Sequence, residues 1–495
     1  MRRLKYILLA FAITLSLTSC LEKLPADALL EEDAMTSLID AELTVNGIYA
    51  GFKSSSLYSG SMVLASDIQS DLVHGVTGNS NNYGQSWTWD IRPDNSDIES
   101  VYGALYTIIG RCNYLLEKIP SIESTLLDDE DWGTYEMYIG EAHFARALAY
   151  SELARLYCEA YDPQRADEQL GMVISTTYTE IAPAVRASLK ETYELILSDL
   201  EVAYDNIKDE GVNGAEYFTL SVVESLYARV YLHMQEWEKA IEYSTMVIDD
   251  GAFSLSSTNE YIDSSMSYYS YMWNYDMGME IIWRVGYTTT SYGGALGSVF
   301  LNYDYVNYYP DYVPSAWVLN AYDYYDQRYS TFFATIATGY DHGLSWPCLI
   351  KYLGNQEFLA LNILYVNEPK PFRLSEQYLI RAEAYAQMAK YSNAASDLTK
   401  LRAARYSTYG QASITADNWL EEIAEERAKE LYMEGFRLTD LKRWNMGFTR
   451  EAQNSTLASG NTLSIEAGDY RFVWPIPLHE IEVPTSQIEQ NEGYN

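Results

Sequence analysis

Three kinds of side chain in this 495-residue chain could do chemistry, and they differ in what their spacing allows. The histidines, His74, His143, His233, His342 and His479, keep no mutual ligand spacing; His143 and His233 fall on helical runs, where packing or a surface position accounts for them. The 70 acidic residues show no oxygen-ligand pattern, and the chain contains no HExxH, GxSxG, glycine-rich phosphate loop or EF-hand. A paired-carboxylate hydrolase has no short motif, so that chemistry stays open. The third kind is aromatic: 46 tyrosines stand against 13 phenylalanines. Tyrosine joins a flat apolar face to a polar tip, which suits a surface that is wet yet binds, and it also packs helices. Tyr83, Trp87 and Trp89 lie in GNSNNYGQSWTWD (78–90), and Tyr269, Tyr271 and Trp273 in YIDSSMSYYSYMWNYDMGMEIIWR (261–284). Neither stretch has the helical repeat. Trp346 follows in a segment broken by proline.

The elements that must hold these stretches are helical. FRLSEQYLIRAEAYAQMAKYSNAASDLTKLRAAR (372–405) places Leu374, Tyr378, Leu379, Ala382, Tyr385, Ala386 and Ala389 on one face, breaks at 390–393, and resumes with Ala394, Ala395, Leu398 and Leu401. So short a connection predicts an antiparallel hairpin of the tetratricopeptide kind. An echo at 223–249 sets Ala228, Trp237 and Ala240 at the offsets of Ala382, Tyr391 and Ala394. One such hairpin cannot bury its own apolar face, so the copies should stack around a large insertion. Further helices are expected over 35–52, 98–119, 135–161 and 189–207, and over 418–444 as a long helix ending near Gly435 and a shorter one after it. Residues 54–97 read as a long loop, and the acidic run 128–131 as solvated loop. Glu425 and Lys429 pair one turn apart, and Arg437, Asp440 and Arg443 read as a structural ion network. Trp474, in the extended WPIP segment, is expected to plug the core.

Arg2, Arg3 and Lys5, an apolar run over 6–17 and Leu17-Thr18-Ser19-Cys20 have the layout of a secretory leader too short to span a bilayer. The last four residues resemble a bacterial lipobox, which implies cleavage before Cys20 and its acylation. A formal net charge of −37 disfavours nucleic acid and polyanionic ligands, and the basic residues form no cluster. An exported chain permits disulfides, but Cys112, Cys158 and Cys348 read as buried free thiols, with a Cys112–Cys158 bridge as the alternative. The sequence implies no cofactor; a calcium ion ordering a loop stays open.

RLSEQYLIRAEAYAQ (373–387), ERAKELYMEGFRLTDLKRW (426–444) and WPIPLHEI followed by QNEGY, in that order, resemble the SusD/RagB family of outer-membrane nutrient-binding lipoproteins. The resemblance implies a mainly α, tetratricopeptide-like scaffold with a large, irregular, mixed α/β, aromatic-rich insertion. It divides the chain into a leader (1–19), a lipidated tether (20–34), an N-terminal helical region (35–249), a ligand-binding insertion (250–371) and a C-terminal region (372–495). It also implies outer-membrane anchoring towards the cell exterior and a SusC-like, TonB-dependent β-barrel as partner. The expected ligands are oligo- or polysaccharides, or peptides as in RagB-type members. No ligand contact carries over by motif. Sugars have flat C–H faces and a rim of hydroxyls, so the expected contacts are Tyr83, Trp87, Trp89, Tyr269, Tyr271, Trp273 and Trp346, with Asn81, Asn82, Asp90 and Asn274 as polar partners. Two other classes remain beside a binding protein, an exported glycoside hydrolase and a repeat-built adaptor without a small ligand.

Overall fold

A computed structural model of the protein describes residues 34–178, 184–208, 215–450, 456–457 and 464–494. The expected leader, Cys20 and all of the tether but residue 34 lie outside them. The scaffold is carried by helices α1 (Leu38–Phe52), α2 (Ser61–Gln69), α3 (Ser96–Lys118), α4 (Asp129–Tyr157), α5 (Leu189–Asn206), α6 (Leu220–His233), α7 (Trp237–Asp249), α8 (Leu374–Gln387), α9 (Tyr391–Arg405), α10 (Trp419–Glu430) and α11 (Arg437–Arg443). Strands are short and paired two by two, always antiparallel, among the described residues.

Helix starts follow local chemistry. Ser37 and Asn95 cap α1 and α3 by accepting from the N–H groups of Asp40 and Ile98, and Ser188 and Glu191 close a capping box on α5. The acidic run 128–131 is not a loop. Asp128 caps α4 through the N–H groups of Glu130 and Asp131, and the remaining acids fill its first turn, where the helix dipole favours negative charge. The segment 54–97 also departs from the expectation: it holds α2, the strand Val73–Gly75 and the short helix Gly84–Thr88. Every residue of α2 is buried, so it has no amphipathic stripe by which to be recognised.

The two hairpins, α6–α7 and α8–α9, stack on one another. Ala228, Leu232 and Ala240 of the first meet Ile380 and Ala384 of the second in one buried cluster. Arg229 reaches across to Glu376 with two bonds of 2.7 Å, and its guanidinium lies 4.1 Å from the Phe372 ring centroid. The insertion, residues 250–371, is tied to the start of the second hairpin where Ile281–Trp283 pairs with Phe372–Arg373.

Beneath that junction runs a buried ionic network. Arg373 bonds Glu280, Glu430 and Glu434; Arg405 bonds Glu280 and Glu430; Arg328 bonds Asp326, Glu426 and Glu430. Charges taken from water persist only when each is paired and hydrogen-bonded. The network anticipated around 425–443 is present, with Glu425–Lys429 at 3.1 Å, Arg427–Asp440 at 2.8 Å and Arg437–Asp71 at 2.8 Å, and it extends into the insertion. Asp67 of α2 accepts the N–H groups of Gly435 and Arg437, capping the start of α11 from another element. Trp474 is fully buried and donates to Gln69 at 2.9 Å. Cys112, Cys158 and Cys348 are buried free thiols, so the alternative bridge is absent.

Candidate functional site

The insertion and the N-terminal region meet in a β ladder that pairs Val73, His74 and Gly75 with Pro314, Val313 and Tyr312. Beyond it the contact continues through polar groups. Val76 N–H donates to the Asp311 carbonyl, and the buried Asp311 carboxylate accepts from Ser80 N–H at 2.7 Å and Asn82 Nδ2 at 2.8 Å. The Tyr312 hydroxyl donates to the Asn82 carbonyl at 2.6 Å. His342 closes the third side, with Nε2–H donating to the Thr77 carbonyl at 2.9 Å. Three segments far apart in sequence, 76–83, 302–312 and 338–346, are thereby held edge to edge.

Tyrosines line this junction. Residues 303–308 form a tight loop in which Asp304 Oδ1 accepts from the N–H groups of Val306 and Asn307, at 2.9 and 2.7 Å. The loop stacks Tyr303 on Tyr308, with centroids 4.7 Å apart and planes 28° apart, and leaves Tyr305 72% exposed at its tip. Tyr309 meets Tyr340 edge-on at 5.4 Å, and Tyr340 stacks on His342 at 4.9 Å and 11°. Gly339 lets the Tyr309 ring lie against the backbone; a Cβ there would sit 2.3 Å from the ring. Burial pushes the Tyr340 hydroxyl up to about 12, with Asp311 and Tyr309 adding to it, so it stays a neutral donor, bonded to the Pro310 carbonyl at 3.1 Å. None of the three segments contains lysine or arginine. The result is a half-exposed, rigid aromatic shelf edged by amides and carboxylates.

Asn81, Asn82, Tyr83 and Trp346 come to the edges of this shelf. Asn81 and Asn82 are exposed, Tyr83 is half-buried with its hydroxyl turned to Ser61, and Trp346 is half-buried with its N–H given to the Pro314 carbonyl at 2.8 Å. Four expected contacts belong to the core instead. Trp89 is 1% exposed, donates to the Gln69 carbonyl at 2.6 Å and packs edge-on against Phe472 at 5.0 Å. Trp87 is buried between His74 and Tyr312, with the Arg450 guanidinium 5.4 Å from its ring centroid. Trp273, 3% exposed, lies between the ammonium groups of Lys351 and Lys370, 4.0 and 4.8 Å from its centroid. Tyr269 is fully buried under the Arg405 guanidinium at 4.3 Å. These rings are bound by internal cations and are closed to a ligand. Asp90 is exposed and pairs with Arg92 at 2.8 Å, Tyr271 stacks on Tyr275 at 4.9 Å, and Asn274 is half-buried on the same short helix, Tyr268–Asn274.

The shelf residues Tyr303, Tyr305, Tyr308, Tyr309, Tyr340 and His342 were not singled out by the sequence. The signal was the run NYDYVNYYPDY (302–312), whose tyrosines alternate with turn formers. A larger cleft, of about 1030 Å³, lies between 159–170, 442–445, 468–473 and 489–492. Its buried amides Gln169, Gln490 and Asn491 are bonded to main chain and neighbouring side chains, as in a seam between packed segments. Among the described residues no group of three or more His, Cys, Asp or Glu side chains is placed to hold a metal ion. No helix among them is long and apolar enough to cross a membrane.

Two family models match the chain, one described as the SusD family over residues 365–494, the other as "Starch-binding associating with outer membrane" over residues 21–232. SusD-like protein P38 of Formosa agariphila is 23% identical across the full length of both chains. Starch-binding protein SusD of Bacteroides thetaiotaomicron is 33% identical over 25% of this chain and 21% of its own length. Among solved structures, a SusD superfamily protein from Bacteroides thetaiotaomicron superposes with a TM-score of 0.78 at 26% identity, covering 92% of this chain and all of the other.

Proposed function

The chain belongs to the SusD/RagB family, and on that premise we propose that it is a non-catalytic surface protein that captures a neutral glycan and hands it to a SusC-like, TonB-dependent barrel. Lipidation at Cys20 would hold it at the outer membrane, facing the cell exterior. One relative is named for binding starch, and one matching family model for starch binding at the outer membrane, which supports the carbohydrate class. The observation that carries the reading is the tyrosine shelf of 302–312, 338–342 and 76–83. Stacked rings present faces to sugar C–H groups, and Asn82, Asn81 and Asn307 offer amides to hydroxyls. With no lysine or arginine in these segments and a net charge of −37, sulfated and uronate-rich chains are disfavoured.

The test is affinity electrophoresis of the mature protein lacking Cys20 in gels cast with soluble starch, inulin, xylan, mannan, β-glucan, pectin and glycosaminoglycans. Retardation by a neutral polymer is expected, without release of reducing ends, and the double variant Tyr303→Ala/Tyr308→Ala should lose it while melting within a few degrees of the parent. Release of reducing ends would restore the hydrolase reading. Retardation by the polyanions alone would refute the charge argument.

A further inference from the structure

A second exposed tyrosine surface lies where 259–270, 323–327 and 405–409 meet. Tyr324 is 91% exposed and Tyr325 51%, with ring centroids 5.4 Å apart and planes at 82°. Tyr261 and Tyr268 add 57% and 45% exposed rings on the neighbouring segment. Exposed aromatics on a mobile loop would need no explanation, but this turn is fixed. Asp323 Oδ1 accepts from the N–H groups of Tyr325 and Asp326, at 2.7 and 3.1 Å. Ser407 N–H donates to the Tyr325 carbonyl at 2.8 Å, and Gln327 N–H to the Arg405 carbonyl at 2.9 Å. Next to the turn, Asp326 and Arg328 join the buried ionic network. The flanking segment is tied to the same frame: Asn259 Nδ2 donates to the Tyr406 carbonyl at 2.6 Å, Thr258 N–H to the Ala404 carbonyl at 2.9 Å, and Ser270 meets Thr331 at 3.2 Å.

Rings held this way lose little conformational freedom on meeting a ligand, because the fold has already fixed the backbone that carries them. Two planes at a right angle offer one face to a sugar ring and a second to its neighbour. The one cation of these segments, Arg405, is fully buried, as is Arg328 just beyond them. Gln327 Nε2 and Ser407 Oγ reach the Tyr325 carbonyl at 3.3 and 3.4 Å, and Asp323 and Glu260 add negative charge to these segments. The chemistry matches that of the first shelf, a neutral polyhydroxylated chain, yet no residue is shared.

We propose that Tyr324 and Tyr325 form a second subsite for the glycan bound at the shelf, engaged by long chains and not by short ones. This rests on the glycan reading above. Two linked contacts raise avidity without tightening either one, by roughly 10–1000-fold for a polymer that spans both. The experiment compares the neutral polymer that retards the protein with the tetrasaccharide of the same backbone, by affinity electrophoresis and titration calorimetry. For Tyr324→Ala/Tyr325→Ala, retardation by the polymer should weaken at least tenfold, tetrasaccharide affinity should stay within twofold, and the melting curve should not move. Tyr324→Trp/Tyr325→Trp should restore polymer binding. Unchanged polymer retardation overturns the second subsite, as does loss of short- and long-chain binding with a lowered melting temperature. Polymer binding kept while co-purification with the barrel is lost would make the surface a protein contact, and also overturns it. If no neutral polymer retards the parent protein, both readings fall; if Tyr303→Ala/Tyr308→Ala keeps tetrasaccharide affinity, the shelf reading alone falls.

Discussion

Replacing Gly339 with alanine puts a methyl group 2.3 Å from the Tyr309 ring and hydroxyl, where ordinary contact begins at about 3.4 Å. Tyr309 must therefore retreat by about 1 Å or more. The atoms met are the distal end of a half-exposed side chain, so the ring can turn without moving the backbone, whose N–H stays bonded to the Leu301 and Asn302 carbonyls. What is lost is its edge-on contact with Tyr340 at 5.4 Å, a kind of pair that contributes about 0.5–1.5 kcal/mol. Stability should fall by no more than about 1.5 kcal/mol, a few degrees at most in melting temperature. Binding should suffer as well, since a displaced ring no longer continues the shelf; a loss of about 1.4 kcal/mol is tenfold in affinity. Denaturant unfolding and calorimetry with the retained oligosaccharide measure the two quantities. If Gly339→Ala binds as tightly as the parent, Tyr309 is no part of the platform. If it loses several kcal/mol of stability, the ring is a core element and the argument from flexibility is wrong.

Trp273→Ala should destabilise by about 3–5 kcal/mol, because it opens a core site and removes the ring that packs on the ammonium groups of Lys351 and Lys370, which keep their bonds to Glu434 and Asp276, while glycan affinity of the folded fraction stays unchanged; thermal melts alongside electrophoresis check both. Burial, helped by Asp250, pushes the Glu224 carboxyl up to about 7. A carboxyl raised in the folded state costs stability that sets in above its unfolded value near 4.5, grows up to about pH 7 and levels off beyond it, so Glu224→Gln should be more stable than the parent at pH 8, with the gain shrinking below pH 7 and gone near pH 4. Urea unfolding at the three pH values decides it; a gain that grows on acidification would refute the assignment.

The scaffold was readable because its information is periodic. Ala228, Ala240, Ala382 and Ala394 are spaced as their packing requires, and Arg443 and Asp440, one helical turn apart, pair as expected, whereas Arg437 pairs with the distant Asp71 and Asp440 takes Arg427 as its second partner. α2 was hidden because burial on all sides erases the amphipathic contrast. The site was half legible. Trp87, Trp273 and Tyr269 read as platforms, but a large ring is also a good filler beside a buried cation. Whether Trp273 faces water or Lys351 is set by Lys351, Lys370 and Arg373, residues 78 to 100 positions away in the chain. Asn82 comes to the edge of the candidate shelf through its bonds with Asp311 and Tyr312, distant partners that do not alter the local character of the turn.

The stacking of the two hairpins bears on how the chain comes to be folded at all. Export of the kind proposed above would deliver the polypeptide from its N-terminal end. The face made by Ala228, Leu232 and Ala240 emerges long before Ile380 and Ala384, which cover it, and Gln69 waits for Trp474, 405 residues later. A fragment that lacks these C-terminal partners leaves its core incomplete, so an exported chain would have to be kept from aggregating until its last residues had crossed the membrane, and a premature stop anywhere in the insertion would leave a protein for proteases, not a smaller binder.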